Sequence, residues 1–401
     1  MLDLFSDDAR RNPFPLYDLA RTARPVMHEP RSGSWLIFDY AGVKQALDDT
    51  ETFGSDLQSI GAHPTPPWLL FNDPPRHTKL RNIISQAFTP RVVAAMEPRI
   101  RELSRELLDR SADRGEMDLA VDYSVPMPMR VIADMIGIPD CDWPLYTRWS
   151  DAILKLSYTV RGISPKAEAA QAAMEYQAVT DEMREYLPGL VSARRQEPKD
   201  DLITRLVAAQ VDGERLTPEE TLGFFQLLIV GGQETTTNLI NNAVLSLLEN
   251  PDQLVLLRRS PELLPSTIEE TLRYRSPFQF IFRGTRRETE IHGQTIPAGQ
   301  LVFLMLGSAN RDPRAFPDAE RFDIRRDPNR HLAFGHGIHF CLGAPLSRLE
   351  ARIALTDVLE RLPGLELASG EPWQPRPALH VHGPTRLPVR FQSTKCPSPV
   401  A

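Results

Sequence analysis

The sequence predicts a mainly α-helical protein with a small β region, and three observations carry that prediction. First, Thr217-Pro-Glu-Glu220 reads as a capping box with proline at the first helical position. The pattern it opens continues to Asn250-Pro251, a helix on the order of 50 Å long. Second, helical patterns recur along the chain: after Asp73-Pro-Pro, from Val131 to a stop at Gly137 and Pro139, over most of 143–196, and after Pro345. In the last of these Leu346, Leu349, Ile353, Val358, Leu359 and Leu362 recur at steps of about three and four. Third, strand signals are few and short, with Ser34 to Asp39 the clearest.

Composition bounds the function. The 401 residues are 41% hydrophobic and 25% charged, enough to bury a large core. A net charge of -7 with no long basic block argues against a nucleic-acid partner. Cys141, Cys341 and Cys396 form an odd, widely spaced set without a Cys-x-x-Cys pair. Neither a disulfide framework nor a zinc or iron-sulfur cluster is supported, and a reducing compartment is expected. Met1 to Arg11 lacks the apolar core of a signal peptide, and the most apolar stretch, Leu222 to Gly232, contains Gln226. A cytoplasmic protein without a membrane anchor is therefore expected.

Taken in order, Asn12-Pro-Phe-Pro-Leu-Tyr leads into a short helix. Residues 54–72 are irregular and carry Pro64, Pro66, Pro67, Trp68, Leu69, Leu70 and Phe71, an apolar loop that is either core lid or ligand contact. Asp73 then caps a helix with Pro74 in its first turn and Leu80, Ile83, Ile84, Ala87 and Phe88 as its buried stripe. His77 and Arg81, four apart, share a face of it, which is either a solvated basic face or a pair that grips an anion.

The middle of the long helix reads Val230-Gly-Gly-Gln-Glu-Thr-Thr-Thr237. Two interior glycines cost roughly 1 kcal/mol each relative to alanine, so a close contact must compensate. Gly231 and Thr235 share a face with Glu234 beside them. Small residues at a helix crossing explain this stretch as well as an oxygen-binding notch with a proton source does. Glu270 and Arg273, three apart, pair on a helix that ends before Ser276-Pro277. Phe278, Phe280 and Phe282 alternate along the next segment, which ends at Arg283. His380-Val-His382 lacks a third metal ligand.

Phe334 to Gly343 reads Phe-Gly-His-Gly-Ile-His-Phe-Cys-Leu-Gly. Gly335, Gly337 and Gly343 allow a tight turn and the close approach of a flat ligand. Cys341 precedes a helix N-terminus, which favours its thiolate as a metal ligand or nucleophile.

Phe334, Gly337, Cys341 and Gly343 fill Phe-x-x-Gly-x-x-x-Cys-x-Gly, which resembles the cysteine-ligand loop of the cytochrome P-450 haem-thiolate monooxygenases. On this chain's own 17 Phe, 22 Gly and 3 Cys, a chance match is expected about four times in ten thousand. Gly231, Gly232, Glu234 and Thr235 resemble the family's oxygen-activation motif. His77 and Arg81 resemble its His-x-x-x-Arg, and Glu270 and Arg273 its Glu-x-x-Arg. The likeness runs from about Pro13 to Pro388, with Ala319 in place of a usual second proline.

The resemblance implies a single haem domain over 1–401 of the soluble bacterial type. It would hold haem b (iron protoporphyrin IX) with Cys341 as the iron ligand, and His77, Arg81, Arg283 and His339 at the propionates. It implies catalytic roles for Gly231, Gly232, Glu234 and Thr235, a substrate pocket including Trp68, Leu69, Phe278, Phe280 and Phe282, and a structural clamp of Glu270, Arg273 and Arg321. The reaction implied inserts one oxygen atom of O2 into a C-H bond or C=C of an apolar small molecule. Electrons would come from NAD(P)H through a separate ferredoxin or flavodoxin with its reductase, docking on a patch of Arg76, Lys79, Arg330, Arg348 and Arg352. The protein is expected to be monomeric. A peroxide-driven peroxygenase and a non-enzymatic haem sensor or carrier stand as alternatives.

Overall fold

The computed structural model describes residues 6–58, 68–159, 164–368 and 373–393. Pro64, Pro66, Pro67 and Cys396 lie outside them. The principal helices are α1 (Phe14–Ala23), α2 (Tyr40–Asp48), α3 (Arg76–Ala87), α4 (Glu97–Asp109), α5 (Pro126–Ile136), α6 (Trp143–Ser157), α7 (Lys166–Gln196), α8 (Pro218–Glu249), α9 (Leu264–Tyr274) and α10 (Ala344–Arg361). The strands are β1 (Val26–Glu29), β2 (Ser34–Ile37), β3 (Phe53–Gly54), β4 (Glu116–Asp118), β5 (Ile281–Thr285), β6 (Leu301–Leu304), β7 (Glu366–Leu367) and β8 (Pro388–Arg390), with a hairpin at 289–296.

The expected capping box forms. Thr217 accepts from the Glu220 N-H while the Glu220 side chain accepts from the Thr217 N-H, and α8 runs 32 residues from there. From Thr236 to Leu247 it is buried all round, polar residues such as Thr237, Asn238 and Asn242 included, because this half of α8 passes through the molecule. Buried polar groups need partners, and Asn242 donates to the carbonyls of Arg275 at 3.0 Å and His382 at 2.9 Å, tying α8 to the end of α9 and to the C-terminal segment. Helices α4, α5, α6, α9 and α10 pack around α8 in one large apolar core.

The strands form a five-stranded sheet in the order β1-β2-β6-β5-β3 and a three-stranded sheet in the order β4-β8-β7. In the first, β2 and β6 are parallel with Trp35 opposite Val302, and β5 and β6 are antiparallel with Phe282 opposite Phe303. That register brings Phe280 and Phe282 onto Phe303, at ring-centroid separations of 5.1 and 4.9 Å, in a cluster with Phe14, Tyr17, Leu36 and Phe38. Both therefore pack against the sheet and α1.

Two local expectations are corrected. Helix α3 begins at Arg76 without a side-chain cap. The Asp73 carboxylate instead accepts from the N-H groups of Ser55 at 3.0 Å and Asp56 at 2.8 Å and pairs with Arg286, because a guanidinium and two free N-H groups outcompete a helix end. The apolar stripe of α3 is as expected, Leu80, Ile83, Ile84, Ala87 and Phe88 all being buried at roughly 1.5–3 kcal/mol for each large side chain.

The second correction concerns the clamp. Glu270 and Arg273, both fully buried, form a two-pronged ion pair at 2.8 and 2.9 Å. The further guanidinium on Glu270 belongs to Arg326, whose Nε lies 3.2 Å from both carboxylate oxygens. Arg321 is exposed and contributes its backbone carbonyl, which accepts from Arg273 at 2.9 Å. The loop wraps Arg273 with the carbonyls of Asn310, Ala319 and Arg321, and this turn delivers the arginine five residues later to the acid.

Candidate active site

Phe334 to Gly343 closes on itself through the Cys341 N-H, which donates to the Phe334 carbonyl at 2.9 Å. Gly335 and Gly337 have φ of +73° and +69°, and a Cβ on Gly337 would stand 3.2 Å from the Leu47 carbonyl. Phe334 packs against the core cluster, with the Arg348 guanidinium 4.6 Å over its ring. Helix α10 starts three residues after Cys341.

The helix-end argument for a thiolate meets an opposing effect. Burial raises the pKa of Cys341, against the N-H groups of Gly343 and Ala344 and the guanidiniums of Arg81 and Arg348, all of which lower it. The loop thus surrounds this sulfur with the groups that a thiolate needs, set against the cost of desolvating it.

Four residues meet beside the loop. The His77 ring lies 4.2 Å from the His339 ring, and His339 Nε2 is 2.9 Å from Ser55 Oγ. Arg81 donates to the Phe340 carbonyl at 2.7 Å. Arg283 is 5% exposed, donates to the Phe282 carbonyl and has no ion-pair partner among the described residues. Burial lowers its pKa to about 10 and, with Arg283, Arg81 and each other nearby, keeps both histidines neutral. Neither ring nitrogen of the buried His77 has a hydrogen-bond partner among the described residues. Unpaired donors and a buried, unpaired guanidinium in one place call for carboxylates.

On α8, Gly231 is exposed with open space where its Cβ would point, whereas a Cβ on Gly232 would run into Ile132 of α5. The two readings of the glycine pair are thus divided between its members. Gly231 leaves a notch, and Gly232 lets two helices cross. Thr235 Oγ1 donates to the Gly231 carbonyl at 2.7 Å. Glu234 is 4% exposed and its pKa is raised by burial. Its Oε1 accepts from the Tyr158 hydroxyl at 2.6 Å and lies 3.6 Å from Arg376 Nη1. Neither Tyr158 nor Arg376 was marked by any sequence signal.

Trp68 and Leu69 are buried against the core around α8, and Trp68 Nε1 donates to Gln226 Oε1 at 3.2 Å. Tyr176 of α7 donates to the same oxygen at 2.8 Å, so Gln226 joins the apolar loop to two helices. Phe278 is half-buried with its ring 5.2 Å from His380. His382 lies 3.1 Å from the Arg11 carbonyl, and no group of three potential metal ligands occurs among the described residues.

The expected docking patch is largely neutralised. Arg76 pairs with Glu220, Lys79 with Glu214, Arg348 with Glu269 and Arg352 with Glu97. No helix among the described residues is long and apolar enough to cross a membrane.

The family model described as Cytochrome P450 matches residues 257–379. The chain is 44% identical to Cytochrome P450 107B1 of Saccharopolyspora erythraea over 89% of each protein. It is 39% identical to Cytochrome P450 monooxygenase PikC of Streptomyces venezuelae over 98% of this chain and 94% of that one. Among solved structures, CYP109E1 from Bacillus megaterium in complex with testosterone superposes with a TM-score of 0.86 at 37% identity, over 95% of this chain and 99% of that one.

Proposed function

The chain belongs to the cytochrome P450 family and is a haem-thiolate monooxygenase, and from that premise we propose how its own residues serve the reaction. The cofactor is haem b, and the residues present fit it. His77, whose ring nitrogens lack a partner among the described residues, and Arg283, a buried guanidinium with no ion-pair partner among them, supply donors for two propionate carboxylates, with His339 and Arg81 beside them, and Cys341 supplies the iron ligand. When bound, the haem supplies the redox chemistry that activates O2 and oxygenates a C-H bond or C=C.

The protein's part is binding, exclusion of water and movement of protons. The N-H groups of Gly343 and Ala344 with Arg81 and Arg348 stabilise negative charge on Cys341 Sγ. Gly231 leaves room above α8, Thr235 Oγ1 holds a hydrogen bond there, and Glu234 is the proton source. Trp68, Leu69 and Phe278 give the pocket an apolar wall, so the substrate is an apolar small molecule; the testosterone complex of the similar structure is consistent with this class. Electrons reach the protein in the cytoplasm from NAD(P)H through a ferredoxin or flavodoxin with its reductase.

The observation that carries this reading is the convergence of Cys341, Arg81, His77, His339 and Arg283 at one glycine-turned loop. The test is turnover with a surrogate ferredoxin, its reductase and a steroid panel under isotopically labelled O2. One labelled oxygen atom in the product is expected. Products carrying only water-derived oxygen, or none from any ligand that shifts the haem spin state, would refute it.

A further inference from the structure

Glu269 and Glu270 are adjacent on α9 and serve different neighbours. Glu270 closes the buried clamp, whereas Glu269 meets α10 and accepts both prongs of Arg348, from Nε at 2.7 Å and Nη2 at 2.8 Å. A second donor fixes the acid. His331 Nδ1 accepts from the Ala333 N-H at 3.2 Å, which leaves the ring proton on Nε2, 3.1 Å from Glu269 Oε2. Burial opposes the charge on Glu269, but the bonds from Arg348 and His331 outweigh it and hold its pKa down to about 2, so the acid is ionised.

What the acid holds in place is the Arg348 charge. That guanidinium lies 4.6 Å over the Phe334 ring, and Phe334 is the residue whose carbonyl accepts from the Cys341 N-H. Arg348 and Cys341 are close enough for each to favour the other's charged form, while the groups that favour the Glu269 charge are Arg348 and His331. The ion pair is thus a dipole with its positive end toward the sulfur.

We propose that the pair of Glu269 and Arg348 sets the reduction potential of the haem iron, with Glu269 as a positioning residue that pins the Arg348 guanidinium over Phe334 and beside Cys341 Sγ. The proposal rests on Cys341 as the iron ligand. One electron taken from the ferredoxin or flavodoxin adds one negative charge at the iron and its sulfur, and a cation fixed nearby favours the reduced form. A water-facing arginine free to swing would be screened and contribute little. The pairing that takes Arg348 out of the expected docking patch gives it this use instead.

The test is a spectroelectrochemical titration of the haem-loaded full chain with small-molecule mediators, which needs neither substrate nor protein partner. At a fixed applied potential Arg348→Gln should lower the ferrous-to-ferric ratio roughly tenfold, about 59 mV for a one-electron couple. Glu269→Gln removes the negative end and keeps an acceptor for Arg348, so it should raise the ratio roughly threefold, and the double variant should fall between the two. Arg348→Lys keeps the charge and should stay within roughly threefold of the unmodified protein. Side-chain exposures of 38% for Arg348 and 29% for Glu269 leave both positions open to these exchanges. If Arg348→Gln does not retain haem, Glu269→Gln decides alone. Equal potentials in all variants, or shifts of one sign in both single Gln variants as loosening of the loop would give, overturn the proposal. The ferrous carbon monoxide spectrum is recorded on the same samples, and absence of the thiolate band from the unmodified protein would overturn the ligand assignment and this proposal with it.

Discussion

His77 of α3 and His339 of the cysteine loop stack at a centroid separation of 4.2 Å with their ring planes tilted by 52°. The contact joins segments 262 positions apart, 339 less 77, and it aligns the helix that carries Arg81 with the loop that carries Cys341. A buried and a half-buried histidine beside two arginines would repel if charged, and burial with those arginines lowers both pKa values, which favours neutral imidazoles in this contact.

His77 therefore has opposite values in the two states of the protein. Without haem its two unpartnered nitrogens are a cost, and His77→Phe should leave thermal stability unchanged or raised. With haem the same substitution should speed transfer of haem to an acceptor globin, roughly tenfold for one lost charge-assisted bond. Faster unfolding of the haem-free variant with unchanged haem loss would contradict this.

Arg326 and Arg321 differ sharply in what they contribute. Arg326 is 10% exposed and adds a second guanidinium to a fully buried acid that Arg273 still pairs, so Arg326→Ala should cost about 1–3 kcal/mol in denaturant unfolding. Arg321→Ala keeps the carbonyl that Arg273 uses and should change stability little. Equal costs would restore Arg321 to the clamp.

Glu350 on α10 is fully buried, one of its oxygens lacks a partner among the described residues, and burial raises its pKa well above the usual carboxylate value. The folded chain therefore keeps a proton that the unfolded chain loses. Glu350's contribution to stability is fully present below the unfolded-state pKa and is lost as pH rises toward the folded one. Glu350→Gln should accordingly raise the melting temperature more at about pH 8 than at about pH 5. A gain that is equal at both values would show the acid to be ionised or water-solvated in the fold.

What the sequence made legible was whatever local pattern encodes. The capping box at Thr217, the apolar stripe of α3 and the glycine-framed Cys341 loop depend on spacings of a few residues, and they stand where expected. Partners across the fold were not legible. Tyr158 lies 76 positions from Glu234, and nothing in a half-exposed tyrosine after a helix marks it as an acid's donor. Arg321 and Arg326 sit in one irregular loop, where no period tells which arginine turns inward. Phe280 and Phe282 alternate as a strand should, but only the pairing of β5 with β6 decides that their shared face meets Phe303. The glycine pair could not be divided by sequence, since the crossing of α5 against Gly232 is a tertiary fact.

The central claim is the bond from Cys341 Sγ to haem iron. Reconstituted protein, reduced and exposed to carbon monoxide, should show the red-shifted Soret band of a thiolate-ligated ferrous haem, and Cys341→Ser should lose it. Absence of the band from the unmodified protein, or its survival in Cys341→Ser, would contradict the account.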